Sequence, residues 1–185
     1  VTFSGTNVTD LTTVELNAIG GTVSLLNMGT TALAVNSTGT IAQAVNSDTA
    51  AAVTYTMKAS AAQLAAGTVA AANTTAATFD SATALTINVN ELVDSDTGAI
   101  SAAAAKSLTL NVASKVVNAA ELTEFSNAIT AGEATAVTVT SNGQLIGAVI
   151  NAAKATTMTL ASGSATAADT EVDTLTLNAT KLDTL

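Results

Sequence analysis

The sequence lacks most of the residues from which catalytic and metal sites are built. Its 185 residues include no cysteine, no histidine and no arginine. Without cysteine there is no disulfide, thiolate nucleophile or thiolate metal site. Without histidine, the commonest general base and transition-metal ligand is missing, and a serine has no base partner for a catalytic triad. We therefore expect the protein not to be an enzyme.

Positive charge is scarce as well. Five lysines stand against 14 aspartates and glutamates, which gives a net charge of −9 and an isoelectric point near 4.1. Nucleic-acid binding needs a cationic face, so we expect no nucleic-acid partner. An acidic surface instead favours divalent cations. No apolar run approaches the roughly 18 residues of a transmembrane helix, so no transmembrane segment is expected.

Aromatic residues are almost absent, with three phenylalanines and one tyrosine, so the apolar content depends on small side chains. A sandwich usually needs large side chains to bridge the roughly 10 Å between its sheets. A narrow solenoid, in which each coil stacks on the next, can use smaller ones. The mean hydropathy of +0.46 argues against a disordered chain.

One short phrase recurs along the chain, with apolar residues alternating with Thr or Asn. This period of two is typical of a half-buried strand, with Leu, Ile and Val inward and Thr and Asn outward. The clearest copies are ALTINV (84–89), SLTLNV (107–112), AVTVT (136–140), TMTL (157–160) and TLTLN (174–178), joined by TTVELN (12–17) and VTYTMK (53–58).

The spacing of the phrases indicates a repeating architecture. The intervals between Leu85, Leu108, Val137, Met158 and Leu175 are uneven, at about 17–29 residues, and most lie in the range of solenoids. We predict an all-β parallel solenoid, similar to a β-helix, with short helical inserts. A leucine-rich-repeat-like α/β solenoid and a β-sandwich are the alternatives. We take residues 1–185 as a single solenoid segment and expect a fragment of a longer chain.

Three stretches between the phrases are candidates for the inserts. NAAELTEFSNAI (118–129) opens with a capping-box-like Asn118 and Glu121 and continues with Leu122, Phe125 and Ile129 at helical spacing. GQLIGAVINAAKA (143–155) also places apolar residues on one helical face. SAAQLAAGTVAAAN (60–73) has high helix propensity, which Gly67 and its threonines weaken.

Two acidic clusters are candidate calcium sites. Glu91, Asp94 and Asp96 lie in ELVDSDTG, where alternate aspartates before a glycine place oxygens as calcium loops do. The competing interpretation is a solvated turn, and nothing supplies the bidentate glutamate of an EF-hand.

Asp169, Glu171 and Asp173 form the second cluster. On a strand, their alternation places all three on one face, where they repel unless a cation lies among them. The competing interpretation is a loop leading into the last strand. Calcium is the only cofactor that the sequence suggests.

Threonine pairs separated by one residue, at 54–56, 138–140 and 174–176, suggest one further function. A regular threonine array on a flat solenoid can order water, which would give ice binding. The competing interpretation is that threonine is simply a good residue for an exposed strand.

The phrases ALTINVN, SLTLNVAS and VDTLTLNATKL, in a chain rich in Ala, Thr, Val, Gly and Asn, resemble surface-layer (S-layer) proteins of Gram-negative bacteria, the type I-secreted kind. The resemblance implies an extracellular crystalline coat of self-assembling subunits, held together by calcium and anchored to lipopolysaccharide through another part of the chain. The Gly-Gly-x-Gly-x-Asp nonapeptides of that secretion class do not occur. The solenoid stalk of a secreted adhesin or autotransporter passenger shares this composition and is the alternative.

Overall fold

A computed structural model describes residues 2–4, 11–17, 21–26, 32–39, 45–47, 50–72, 76–95, 98–113, 123–163 and 171–185. These residues form eighteen strands and one short helix. The elements are β1 (Thr2–Ser4), β2 (Thr13–Asn17), β3 (Val23–Leu26), β4 (Ala32–Thr38), β5 (Val45–Ser47), β6 (Ala52–Lys58), α1 (Ala61–Ala66), β7 (Ala70–Ala72), β8 (Ala77–Thr78), β9 (Ala84–Val89), β10 (Val93–Ser95), β11 (Ile100–Ser101), β12 (Ser107–Val112), β13 (Glu124–Phe125), β14 (Ala128–Thr130), β15 (Ala136–Ser141), β16 (Gln144–Asn151), β17 (Thr157–Ser162) and β18 (Glu171–Asn178).

Two parallel sheets contain these strands. The seven-stranded sheet runs β17-β15-β12-β9-β6-β4-β2, and the eleven-stranded sheet holds the others. Neighbours in the seven-stranded sheet are successive coils, so each coil hydrogen-bonds to the coil before and the coil after it. This arrangement confirms the predicted all-β parallel solenoid.

The recurring phrases stack in register despite their uneven spacing. Leu85 pairs with Leu108, Leu108 with Val137 and Val137 with Met158. Because the pairing is in register, every extra residue of a longer coil must lie outside this sheet. The intervals predicted between these four phrases are therefore true coil lengths.

The last phrase departs from the predicted repeat. Leu175 pairs with Ala148 in the eleven-stranded sheet, on another side of the solenoid from Met158. The next position of the seven-stranded sheet is reached only at Thr184, which bridges to Thr157. The interval from Met158 to Leu175 is therefore wrong as a coil length, because the same alternating pattern serves strands on different sides of a coil.

The coils have three sides from β6 onward, and β16 shows how two of them join. Its first residues pair with β13 and its last residues with β14. Between them Gly147 has a φ of +73°, and the pairing with β18 shifts register there. A bulge of this kind bends a strand, so β16 spans two sides of one coil.

The core is centred on one large cluster of inward-facing side chains. Tyr55, Phe79 and Phe125 are its largest fully buried members, and the rings of the first two lie 5.5 Å apart. Branched aliphatic residues from both sheets make up most of the remainder. Burial raises the pKa of Tyr55 to about 12, so this hydroxyl stays neutral in the core.

Alanine has a specific place at the corner that precedes the seven-stranded sheet. In successive coils a tight turn closes from Ala105 to Ala102, from Ala134 to Ala131 and from Ala155 to Ala152, with N–H to carbonyl distances of 2.9 to 3.0 Å. All six alanines are buried. These six alanines therefore form stacked corners, where larger side chains would hold the coils apart.

Two of the predicted helices are wrong. Residues 144–151 form β16, where the bulge spaces the buried Leu145, Ala148 and Ile150 unevenly and imitates a helical pattern. In the second stretch, Phe125 and Ile129 belong to β13 and β14 on either side of a corner at Asn127. Asn118, Glu121 and Leu122 lie outside the described residues.

The third stretch does contain a helix. Ser60 accepts a hydrogen bond from the Gln63 N–H at 3.2 Å, and the Gln63 side chain accepts one from the Ser60 N–H at 2.9 Å. This capping box begins α1, and Gly67 ends it in the left-handed conformation with φ +67°. Because the coil 134–151 is two strands, a leucine-rich repeat with a helix in each coil does not fit. Among the described residues no helix has the length and apolar character needed to cross a membrane.

Gly143 provides a test of the stacking. A Cβ placed there would lie 2.5 Å from the Ala113 carbonyl oxygen and 2.8 Å from that of Thr123. Both are backbone atoms and cannot rotate away. We expect Gly143→Ala to lower the free energy of unfolding by about 1–3 kcal/mol in urea denaturation.

The control is Gly132→Ala. A Cβ at Gly132 meets nothing within 4 Å, and the neighbouring coils carry Ala103 and Ala153 at the same turn position. We expect this variant to be neutral or stabilising by up to about 1 kcal/mol. Equal effects of the two substitutions would contradict the close approach of the backbone at Gly143.

Candidate functional site

The parallel register aligns acidic and amide residues on one side of the solenoid. Asp94 of β10 pairs with Glu124 of β13, Glu124 with Gln144 of β16, and Gln144 with Glu171 of β18. Adjacent strands lie about 4.8 Å apart, so four successive coils carry an acidic or amide residue at one register position. We call these four residues the acidic column.

The acidic column brings together residues that the sequence analysis had placed in separate calcium clusters and in predicted helices. Asp94 and Glu171 belong to the two separate predicted calcium clusters, which lie far apart in the chain. Glu124 and Gln144 lay in predicted helices and were missed. The long interval between Leu108 and Val137 was the available signal, since the extra residues of this coil bring 123–124 beside Asp94.

The remaining residues of the two predicted clusters are placed less closely together. Glu91 is exposed in the turn between β9 and β10. Leu92, whose φ is +57°, separates it from β10 and from Asp94. Asp173 lies in β18 at the register shift, between the paired residues Val172 and Thr174. Asp96 and Asp169 lie outside the described residues.

Buried polar groups fix the turn that follows Asp94. Asn127 is 2% exposed, accepts a hydrogen bond from the Ser95 hydroxyl at 2.6 Å, and donates one to the Gly98 carbonyl at 2.5 Å. The Leu92 N–H donates to the Thr123 hydroxyl at 3.0 Å. Because these bonds link one coil to the next, they hold β10 and β13 side by side and bring Asp94 next to Glu124.

Carboxylate and amide oxygens are the ligands that calcium prefers, and the acidic column offers only such groups. Within the described ranges, no three acidic side chains lie close enough together to form a complete metal cage. Among the described residues, a cation held here would thus contact at most two carboxylate groups and take its other ligands from an amide, from water or from a second molecule. The predicted calcium site remains a prediction.

A second group of charges lies at the alanine corner and is more nearly balanced. Glu133 contacts Lys106 at 3.0 Å and Lys154 at 2.6 Å, and all three side chains are substantially exposed. Hydrogen bonds from Lys154 and then Lys106 lower the pKa of Glu133. This trio carries one net positive charge, so the strong acidity of the protein resides elsewhere, including the acidic column.

The surface also carries three open grooves. One of about 370 Å³ lies between α1 and the coils and is lined by Lys58, Leu64, Asn90 and Glu91. Two of about 520 Å³ lie near the last coil, and the more apolar one contains Met158, Leu160 and Leu185. Among the described residues that line these three grooves, no nucleophilic side chain is hydrogen-bonded to a basic side chain.

Comparison with known proteins adds no relative. No protein-family model matches the chain, and no curated protein or solved structure matches it.

The acidic column predicts a change in stability. Glu124→Gln removes a like charge directly opposite Asp94, and opposed like charges destabilise a sheet by about 0.2–1 kcal/mol. We expect the free energy of unfolding to rise by that amount at low ionic strength, and the gain to shrink as salt screens the repulsion. Urea denaturation at two salt concentrations measures both effects, with the exposed Glu91→Gln as control. An equal gain in the control would show that only net charge matters.

The Lys106–Glu133–Lys154 trio predicts that the stability of the protein depends on pH. The folded pKa of Glu133 lies below its unfolded value, so its contribution is fully present above the unfolded pKa and is lost as pH falls through the folded pKa. We expect Glu133→Gln to be less stable than the parent at neutral pH and equally stable in strong acid, by urea midpoints. A difference that persists in acid would mean that the glutamine itself disturbs the corner.

Proposed function

We propose that this protein is a structural, non-catalytic segment of a self-assembling coat on a bacterial cell surface, in which divalent cations, calcium above all, bridge neighbouring copies. The observation that carries the proposal is the acidic column. It aligns carboxylates from separate coils along one side of a solenoid that is strongly acidic as a whole. The resemblance in sequence style to surface-layer proteins supports the same conclusion.

Electrostatics explains why cations would control assembly. Copies that each carry a net charge of −9 repel one another at low salt. A column of carboxylates meeting the acidic surface of another copy can hold cations between the two molecules, which changes repulsion into attraction. The incomplete ligand set among the described residues would suit such a shared site better than a closed calcium cage.

The solenoid supplies the geometry that a coat requires. Each coil contacts mainly its neighbours, and side chains at equivalent positions form straight rows. Among the described residues, the largest polar side chain of the core is Tyr55, which stays neutral. We therefore propose a role that depends on surface shape and charge rather than on turnover.

The test is assembly of the 185-residue chain with added calcium, followed by light scattering and negative-stain microscopy. We expect ordered sheets or arrays to form with calcium and to dissolve when chelator is added. The variant Asp94→Asn, Glu124→Gln, Glu171→Gln removes the column charges, and we expect it to lose the calcium response.

The matched control is Asp80→Asn, Glu91→Gln, Asp183→Asn. It changes the net charge by the same amount at exposed positions outside the column, and we expect it to keep the calcium response. A chain that stays dispersed at every calcium concentration would overturn the cation-bridged coat and favour the adhesin stalk. Equal loss in both variants would assign the effect to net charge rather than to the column.

A further inference from the structure

The outward face of the seven-stranded sheet carries two parallel rows of small polar side chains. Each member of a row pairs with the next through the register of adjacent coils. The first row is Thr54, Thr86, Thr109, Thr138 and Thr159, and the second is Thr56, Asn88, Asn111, Thr140 and Ala161. We call these ten residues the threonine face. Thr56 is only 8% exposed, and the other nine are half-buried or exposed.

The stacking makes this array regular where the sequence is not. Thr56 and Asn88 lie on adjacent coils and are 32 positions apart in the sequence. Asn88 and Asn111 also lie on adjacent coils but are only 23 positions apart. The extra residues of the longer coil leave the sheet register unchanged. The rows are thus spaced by the sheet itself, about 4.8 Å between strands and about 6.6 Å between alternate residues of one strand.

The ten residues of the threonine face carry no charge. The second row continues on the same sheet through Asn36 to the charged Glu15, so the uncharged part lies between β6 and β17. Beside the first row lies a third, made only of Ala52, Ala84, Ser107, Ala136 and Thr157. The side chains of all three rows are small and neutral, so none projects far above its neighbours. This is an unusual surface for a protein with 14 acidic residues.

The side chains of the face are held in place. Asn111 donates to the Asn88 side chain at 2.9 Å, and Asn88 donates to the Thr56 hydroxyl at 3.3 Å. Threonine is β-branched, which restricts its χ1 rotamer. The array therefore needs little reordering to contact a regular surface, and binding loses little side-chain entropy.

We propose that the threonine face orders a layer of water and adsorbs to ice. Each threonine offers a hydroxyl that both donates and accepts, next to a methyl group. Ice presents oxygen atoms in rows whose two repeat distances are similar to those of the face. An uncharged array with regular spacing along both directions can match a crystalline water surface, and many weak contacts act together.

The test uses the whole 185-residue chain in assays of thermal hysteresis and ice recrystallisation. We expect the chain to slow recrystallisation relative to serum albumin at equal concentration, with chelator present as well as absent. Thr109→Tyr introduces a bulky side chain at the centre of the face, and we expect it to lose most of the effect. Thr138→Lys is a second variant on the same row, with circular dichroism and melting temperature as checks of folding.

The matched control is Thr130→Tyr. Thr130 is an exposed strand threonine on another side of the solenoid, with Ser101 and Asn151 as its row neighbours, and we expect this variant to keep the effect. The proposal is overturned if the parent chain behaves like albumin or if both face variants remain active. It is also overturned if the face variants alter only self-association, since the face would then be a contact between copies.

Discussion

In-register parallel hydrogen bonding between successive coils is the constraint on which the rest of the structure depends. It joins Leu85, Leu108, Val137 and Met158 into one inward row and the threonines beside them into one outward row. Because the register is continuous, a residue type that recurs once in each coil becomes a line on the surface. Core, threonine face and acidic column are three results of the same pairing.

The corners make this pairing tolerant of uneven coils. Buried alanines close tight turns at the same place in three successive coils, and Asn127 fixes another corner through Ser95 and Gly98. Loop length adds little to the cost of closing a coil, so inserts such as α1 can grow outside the sheets. The faces can then remain regular while the sequence between them varies.

How far the sequence predicts the structure follows from the same physics. Strands of the seven-stranded sheet were predictable because their burial alternates strictly, as in ALTINV with Leu85, Ile87 and Val89 inward. The strands around Phe125 and in β16 were not, because a corner and a bulge interrupt the alternation and leave apolar residues at helical spacing. The acidic column was half predictable. Asp94 and Glu171 stood out as members of acidic clusters, but Glu124 joins them only through the register between adjacent coils.

Charge is distributed among the sides of the solenoid in a way that bears on function. The acidic column concentrates negative charge on one side, and under the proposed function cations would bridge it to another copy. The threonine face carries no charge. The Lys106–Glu133–Lys154 trio at the corner is nearly balanced and neither attracts nor repels strongly. A solenoid with one acidic side and one neutral side can respond to ionic strength on the first while the second stays unchanged. The acidic side and the uncharged side of the same repeating coil thereby have separate properties, because each side is built from its own row of residues.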